Sequence, residues 1–178
     1  MRDSTKQLRI LFLLTELLEG ISDLPSSELG TDGQPLMVTM AGRVWRGRTQ
    51  FGNEQMTPFL TIIESRRPDN QPELAGYDGE FRNEIWHLLI QGFMDDDDTH
   101  PLDNLYRFKG EVEVRLSHLL ATNEYGDPVY PAVYLCNRMV EKISIGPGVV
   151  APFNATTGGT EAFYLPLVLT FANNIADP

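Results

Sequence analysis

The chain has 178 residues, of which 42% are hydrophobic and 22% are charged, and its formal net charge is −11 at pH 7. This length and apolar content suit one domain with a hydrophobic core, and the charged fraction is globular rather than disordered. The acidic balance argues against general nucleic-acid binding, which draws its affinity from Lys and Arg on phosphates. A single cysteine, Cys136, excludes an intrachain disulfide and argues against a zinc cluster.

The N-terminal segment predicts an amphipathic helix over residues 4–21. Apolar side chains recur there at helical spacing, at Ile10, Leu11, Leu14, Leu17, Leu18 and Ile21. Phe12 lies off this stripe and is either a partly exposed aromatic residue or a contact to another subunit. The apolar run at 10–14 is too short for a signal peptide or a membrane span, so we expect a cytosolic helix.

Three strands are predicted between this helix and the next, over residues 35–48, 58–66 and 83–93. The third has two partly apolar faces, with Trp86, Leu88 and Ile90 on one and Ile85, His87 and Leu89 on the other. Such a strand is typical of the centre of a sheet, with neither face simply open to water. The segments between the elements, including the long stretch 67–81, are predicted to be loops.

The second half of the chain predicts one helix and two strands. The helix covers residues 102–122, with its apolar stripe at Leu105, Phe108, Val112, Leu116 and Leu119. The strands cover residues 131–145 and 162–171, separated by a long glycine-containing loop. Because Pro166 has no N–H to donate to a ladder, the last strand is expected at a sheet edge or with a bulge.

This order of elements predicts one α+β domain over residues 1–178. Its expected architecture is one mainly antiparallel sheet of about five strands with two amphipathic helices packed on one face. His87, His100 and His118 form no recognisable ligand set, and no nucleophile-elbow, P-loop or dinucleotide-binding motif is present. No catalytic, metal-binding or cofactor-binding residue is therefore assigned, and the chain is not expected to be an enzyme.

Four consecutive aspartates, Asp95, Asp96, Asp97 and Asp98, follow the third strand. Adjacent side chains point to different sides and cannot all reach one ion. The run also lacks the central Gly and final Glu of an EF-hand loop, and catalytic carboxylates come in pairs set apart by the fold. We therefore expect a solvated acidic turn in which Asp98 or Thr99 caps the second helix.

A basic cluster surrounds the end of the first strand and the end of the second. It consists of Arg43, Arg46, Arg48, Arg66 and Arg67, with Trp45 among the first three. Such a cluster could serve a nucleic acid. In a chain of net charge −11, a basic edge that docks on an acidic neighbour is the favoured interpretation.

The segments "RVWRGRTQFG", "TPFLTIIESRRPD" and "WHLLIQGFMDDDDTHPLDNLYRF", placed between two amphipathic helices, resemble the tail terminator (tail completion) proteins of long-tailed bacteriophages. The resemblance extends from about residue 4 to residue 122. It implies a structural α+β protein that forms a hexameric ring at the head-proximal end of the tail tube. The region from about 123 to 178 would be a looser elaboration of this domain.

The resemblance also implies partners. The ring would end tube growth and provide the surface for head–tail joining, so its partners would be further copies of itself, the tail tube protein and the connector or neck protein. Genomic DNA would pass through the lumen without specific binding, and no cofactor or membrane would be involved. The protein would lie in the virion tail and, during assembly, in the host cytoplasm.

The resemblance also predicts which residues form the interaction surfaces of the protein. Subunit contacts are expected at Phe12, Trp45, Ile85, His87 and Leu89. Tube or connector docking is expected at the five arginines, and the aspartates at 95–98 would line the lumen or face solvent.

Two alternatives remain open at this point. One is another virion component, from the neck, the head-completion set or the tail tube, although tube proteins usually form β-barrels and two helices are predicted here. The other is a metal-dependent enzyme with an acidic cleft. A metal-free ring would favour the terminator, whereas a monomer with stoichiometric Mg²⁺ or Mn²⁺ would favour the enzyme.

Overall fold

The computed structural model of the protein describes residues 5–29, 35–50, 57–65, 75–78, 81–95, 102–151 and 160–174. These residues form a mixed α/β fold dominated by one large sheet. The helices are α1 (Lys6–Glu19), α2 (Asp103–Ser117) and the short α3 (Leu135–Arg138). The strands are β1 (Leu24–Leu29), β2 (Pro35–Val38), β3 (Val44–Arg46), β4 (Phe59–Glu64), β5 (Ala75–Asp78), β6 (Phe81–Asp95), β7 (Lys142–Ile145), β8 (Val149–Ala151) and β9 (Thr160–Asn174).

Two long strands form the centre of the large sheet. β6 and β9 are 15 residues each and pair antiparallel along their whole length, from Phe81 opposite Asn174 to Asp95 opposite Thr160. β4 and β5 pair with the other edge of β6, and β7 and β8 with the other edge of β9. β3 joins β4 in parallel, while β1 and β2 form a separate two-stranded sheet. The prediction that the third strand is central is confirmed.

Alternate residues of the central strands build one core face. The buried pairs across the ladder are Trp86 with Leu169, Leu88 with Leu167, and Ile90 with Leu165. The buried residues of the helices belong to the same core cluster. Phe108 of α2 meets Phe163 of β9 edge-on, with ring centroids 5.4 Å apart. Gly92 of β6 lies under that Phe163 ring, and a Cβ there would come within 2.1 Å of it.

Both predicted helices are confirmed, with shorter bounds. Thr5 caps α1 by accepting a hydrogen bond from the N–H of Leu8 at 3.3 Å, and the predicted stripe is buried apart from Leu11, which is half-buried. The predicted stripe of α2 is buried throughout. α2 begins later than expected, with Leu102 at its N-cap position. Leu102 makes no side-chain cap hydrogen bond, and the predicted cap residues Asp98 and Thr99 lie outside the described residues.

The sheet has more strands than the five expected, because pairing occurs where the sequence predicted loops. β5 and β8 lie in such segments and join the large sheet, whereas β1, in another, pairs with β2 in the separate sheet. The predicted strand 35–48 is also divided into β2 and β3 by a turn at Ala41 and Gly42, where Gly42 has φ +71°. The N–H of Met40 donates to the carbonyl of Ile21 at 2.9 Å, which ties this turn to the end of α1.

The predicted strand 131–145 is wrong over its first half. Leu135, Cys136, Asn137 and Arg138 all have positive φ, between +48° and +58°, and form a left-handed turn. L-residues disfavour this conformation by roughly 1–2 kcal/mol each. The turn is held by the Leu135 N–H, which donates to the Leu119 carbonyl at 2.9 Å, and by the buried Cys136. Burial raises the pKa of the Cys136 thiol to about 12.

The last strand is central and in continuous register, so the predicted edge position or bulge is wrong. Pro166 lies opposite Leu89 and accepts a hydrogen bond from the Gly146 N–H at 2.8 Å. The N–H and C=O of one residue in a strand point to the same edge. The missing N–H therefore points to the β7–β8 side, toward Gly146 beyond the end of β7, and the ladder with β6 on the other side is unaffected.

Candidate interaction surfaces

The sheet has a second apolar face, opposite the core face, which we call the outer face. Its large apolar residues are Trp45, Phe59, Ile63, Ile85, Leu89, Phe93, Tyr164, Pro166 and Val168. All but the buried Phe59 are half-buried. The buried side chains of the described helices belong to the same cluster as the core-face residues Trp86, Leu88 and Ile90. The outer face is therefore an apolar surface that these helices do not seal.

Four of the five predicted subunit contacts share this outer face. Ile85, His87 and Leu89 lie on β6, and Trp45 lies on β3 opposite Thr61 of β4. Phe12 is not among them, because it lies on α1 and is 46% exposed. The structure thus divides the predicted contacts between two separate surfaces.

One corner of the outer face is packed by a row of aromatic rings. Trp45 and Phe59 have ring centroids 5.1 Å apart, and Phe59 stacks on Phe93 at 4.7 Å. The Arg48 guanidinium lies over the Trp45 ring at 4.8 Å from its centroid. Thr61, fully buried in the same corner, donates from its Oγ to the Arg48 carbonyl at 2.8 Å. The sequence did not indicate Phe59 and Phe93, whose partnership depends on the β4–β6 register.

The three described arginines of the predicted basic cluster have different contacts and do not form one patch. Arg43 donates from Nη1 to the carbonyls of Thr57 and Pro58, at 3.1 and 3.4 Å, so it serves the fold itself. Arg46 lies over the Phe12 ring of α1 at 4.2 Å, on the core side of the sheet. Arg48 lies on the outer side. Arg66 and Arg67 lie outside the described residues.

Of the four aspartates in the predicted acidic turn, only the first lies within the described residues. Asp95 ends β6, and its carboxylate accepts a hydrogen bond from the Thr57 hydroxyl. Asp96, Asp97 and Asp98 lie outside the described residues. Within the described ranges, no group of three or more His, Cys, Asp or Glu side chains is placed to hold a metal ion.

His87 lies on the outer face, and the other described histidine, His118, lies beside the ring of Tyr130. It stacks on Tyr130 with centroids 3.8 Å apart and planes 20° apart. Burial, and then the nearby Arg115, lower the pKa of His118 below its ordinary value of 6.5. This pair is a packing contact at the base of the 121–130 turn, and no metal-binding or catalytic partner set accompanies it among the described residues.

A groove of about 640 Å³ runs along the exposed side of α1. α1 contributes Arg9, Phe12 and Leu13, β3 contributes Arg46, and the chain around α3 contributes Asn137 and Met139. Arg46 also lines a second cavity of about 650 Å³. This cavity lies between the end of β3 and the end of β4, which is followed by Ser65. The sequence analysis assigned Phe12 to a subunit contact and Arg46 to tube or connector docking. The fold places the two side chains next to each other.

A scan against protein-family models and a search of curated proteins found no match to this chain. None of the helices in the described part of the chain is long and apolar enough to cross a membrane. The function is therefore inferred from the surfaces and from the pattern of the sequence.

Proposed function

We propose that the protein is a structural component of a long-tailed bacteriophage virion, a tail terminator whose copies assemble into a ring on the head-proximal end of the tail tube. The observation that carries this proposal is the outer face. Its apolar and aromatic residues are half-buried, and the helices of the described chain pack elsewhere. An extended apolar surface of this kind is typical of contacts between proteins, and repetition of one contact around an axis closes a ring.

Charge supports the same assignment. A net charge of −11 suits a lumen through which DNA must slide without binding, since like charges repel phosphate. The ring would end tube growth and offer its other side to the connector or neck protein. Arg48, exposed beside the aromatic row, is a candidate for docking on one of these neighbours.

The layering of the fold suits this role. We place α1 and α2 as one layer on the core face, as the sequence predicts, because their buried side chains share one cluster with that face. The layer leaves the outer face of the sheet for neighbours. Leu89 and Val168, on adjacent strands, would lie within the buried contact.

The mass and shape of the purified protein test this proposal. We expect a closed ring by light scattering and electron microscopy, and particles that join tails to heads when added to an extract from cells infected with a terminator-deficient phage. Leu89→Glu should disperse the ring, whereas Val114→Glu on the exposed side of α2 should leave it intact. A wild-type protein that stays monomeric and binds stoichiometric Mg²⁺ or Mn²⁺ would overturn the proposal in favour of an enzyme.

A further inference from the structure

The groove along α1 combines an exposed ring with positive charge. Phe12 is 46% exposed, and the Arg46 guanidinium lies 4.2 Å from its centroid. Arg9 lies one turn before Phe12 on the same side of the helix. Glu16 and Glu19 also line the groove, but seven residues of helix, about 10 Å, separate Arg9 from Glu16. Glu16 lies only one turn after Phe12, so the groove is basic and apolar on the Arg9 side of Phe12 and acidic on the other side.

The opposite wall of this groove is rigid. Asn137 belongs to the left-handed turn, which Met139 follows, and the N–H of Arg138 and the N–H of Val140 donate to the carbonyls of Tyr134 and Leu135 at 2.9 and 3.2 Å. Such strained backbone persists only where the surrounding contacts over-determine it, and it is found preferentially at functional sites. Here it fixes the position of Asn137 and Met139 beside Phe12.

A separate turn, which we call the Tyr125 turn (residues 121–130), projects the most exposed large hydrophobic residue of the described chain. Tyr125 is 81% exposed. Asn123 organises the turn, because its Oδ1 accepts hydrogen bonds from the N–H groups of Tyr125 and Asp127, both at 2.9 Å. Glu124 and Asp127 are exposed on either side of the tip. The turn is thus an ordered aromatic projection flanked by two carboxylates.

The groove and the Tyr125 turn are complementary in charge and in chemistry. A second copy of a chain with net charge −11 is repelled over most of its surface, so a contact between copies requires a place where opposite charges meet. Two arginines at the Phe12 end of the groove and two carboxylates on the turn meet that requirement. Tyrosine also supplies a large contact area at low cost in side-chain entropy.

We propose that the Tyr125 turn of one copy inserts into the α1 groove of the next copy. The Tyr125 ring packs on Phe12 and Met139, and Glu124 and Asp127 face the two arginines. This inference rests on the proposed ring and adds a second contact between neighbouring subunits to the one at the outer face. Because turn and groove are different parts of the surface, the contact is heterologous, the kind that generates rings. It assigns Arg46 to the contact between copies rather than to docking on the tube.

Two single substitutions test the contact. Tyr125→Ala removes the projection and Phe12→Glu blocks the groove, while both variants keep the circular dichroism of the wild type. Each is expected to weaken self-association at least about thirtyfold, as for the central residue of an interface. Tyr106→Ala, which removes another exposed tyrosine, on α2, is the matched control and should leave association unchanged. Undiminished association of Tyr125→Ala, or equal loss in Tyr106→Ala, would overturn the inference.

Mixing the two variants gives a sharper result. Tyr125→Ala retains an intact groove, and Phe12→Glu retains an intact turn. An equimolar mixture should therefore form one-to-one complexes at concentrations where each variant alone remains monomeric. A mixture that remains monomeric, from variants that are both folded, contradicts the pairing of turn with groove.

The same measurements separate this inference from the proposed function. If the wild type forms rings and Tyr125→Ala retains them while Leu89→Glu disperses them, the inference fails and the ring stands. If the wild type stays monomeric at every concentration, the proposed function and the inference fail together.

Discussion

The core face and the outer face of the β6–β9 pair carry similar side chains in different surroundings. On the core face, Leu88 and Leu167 are at most 1% exposed. On the outer face, the neighbouring Leu89 and Val168 are only half-buried. Leaving apolar surface in water costs about 25 cal/mol per Å². The difference indicates that the core face contributes more to the stability of the folded chain, whereas the outer face keeps part of its apolar area in water.

A large effect is expected on the core face. Gly92→Ala places a Cβ within 2.1 Å of the Phe163 ring, which is held in turn by Phe108. Because the ring has to move out of a packed core, we expect a loss of about 3 kcal/mol in the free energy of unfolding, measured with urea.

Gly110→Ala is the matched control for that substitution. A Cβ at this position in α2 meets nothing within 4 Å, and alanine is the better helix former by up to about 1 kcal/mol. The control should therefore raise stability. A Gly92→Ala protein as stable as the wild type would show that the core face is looser than its burial indicates.

Alanine substitutions at two adjacent leucines, one on each face, compare the core face with the outer face directly. Leu88→Ala should cost about 2–5 kcal/mol of unfolding free energy, because Leu88 is buried in the core. Leu89→Ala should cost the isolated chain much less, since part of Leu89 already faces water. Association should respond in the opposite order, with Leu89→Ala weakening the assembly and Leu88→Ala leaving the affinity of the folded chain unchanged. Equal losses of stability would remove the distinction between the faces.

A smaller effect is expected within the outer face, at its packed aromatic corner. Thr61 is fully buried there and its hydroxyl donates to the Arg48 carbonyl. Thr61→Val keeps the shape and removes that hydrogen bond, so we expect a loss of about 1 kcal/mol in thermal or urea unfolding. Thr170→Val, on β9 of the same face but half-buried, should change stability less. If the two variants behave alike, the corner is not distinct from the rest of the outer face.

The sequence predicted those parts of the fold that depend on local periodicity. The stripe of α2 and the two apolar faces of β6 were found because burial repeats at the spacing of a helix or a strand. The strands β5 and β8 were missed because they are short and exist only through pairing with β6 and β9. Pro166 was misjudged because its effect depends on which edge its missing N–H faces.

The candidate surfaces were less predictable still. The stretch around Cys136 alternates well enough for a strand, yet long-range contacts such as that from Leu135 to Leu119 fix it as a left-handed turn. Phe12 and Arg46 come together only when α1 packs beside β3. Neither contact has a local signature, so neither the groove nor its rigid wall follows from the sequence.

The smallest effect is a pH dependence at the base of the Tyr125 turn, away from both faces of the sheet. Burial lowers the pKa of His118 in the folded chain below its ordinary value of 6.5, so the unfolded chain binds the proton at higher pH than the folded chain does. The contribution of His118 to stability is therefore complete above that ordinary value and falls as the pH drops through it toward the lowered pKa. His118→Phe preserves a ring for the stack on Tyr130 and cannot titrate. Its melting temperature should fall less than that of the wild type between about pH 7.5 and pH 5.5. Parallel falls in the two proteins would show that the acid sensitivity arises elsewhere, since the carboxylates that titrate at lower pH are the same in both.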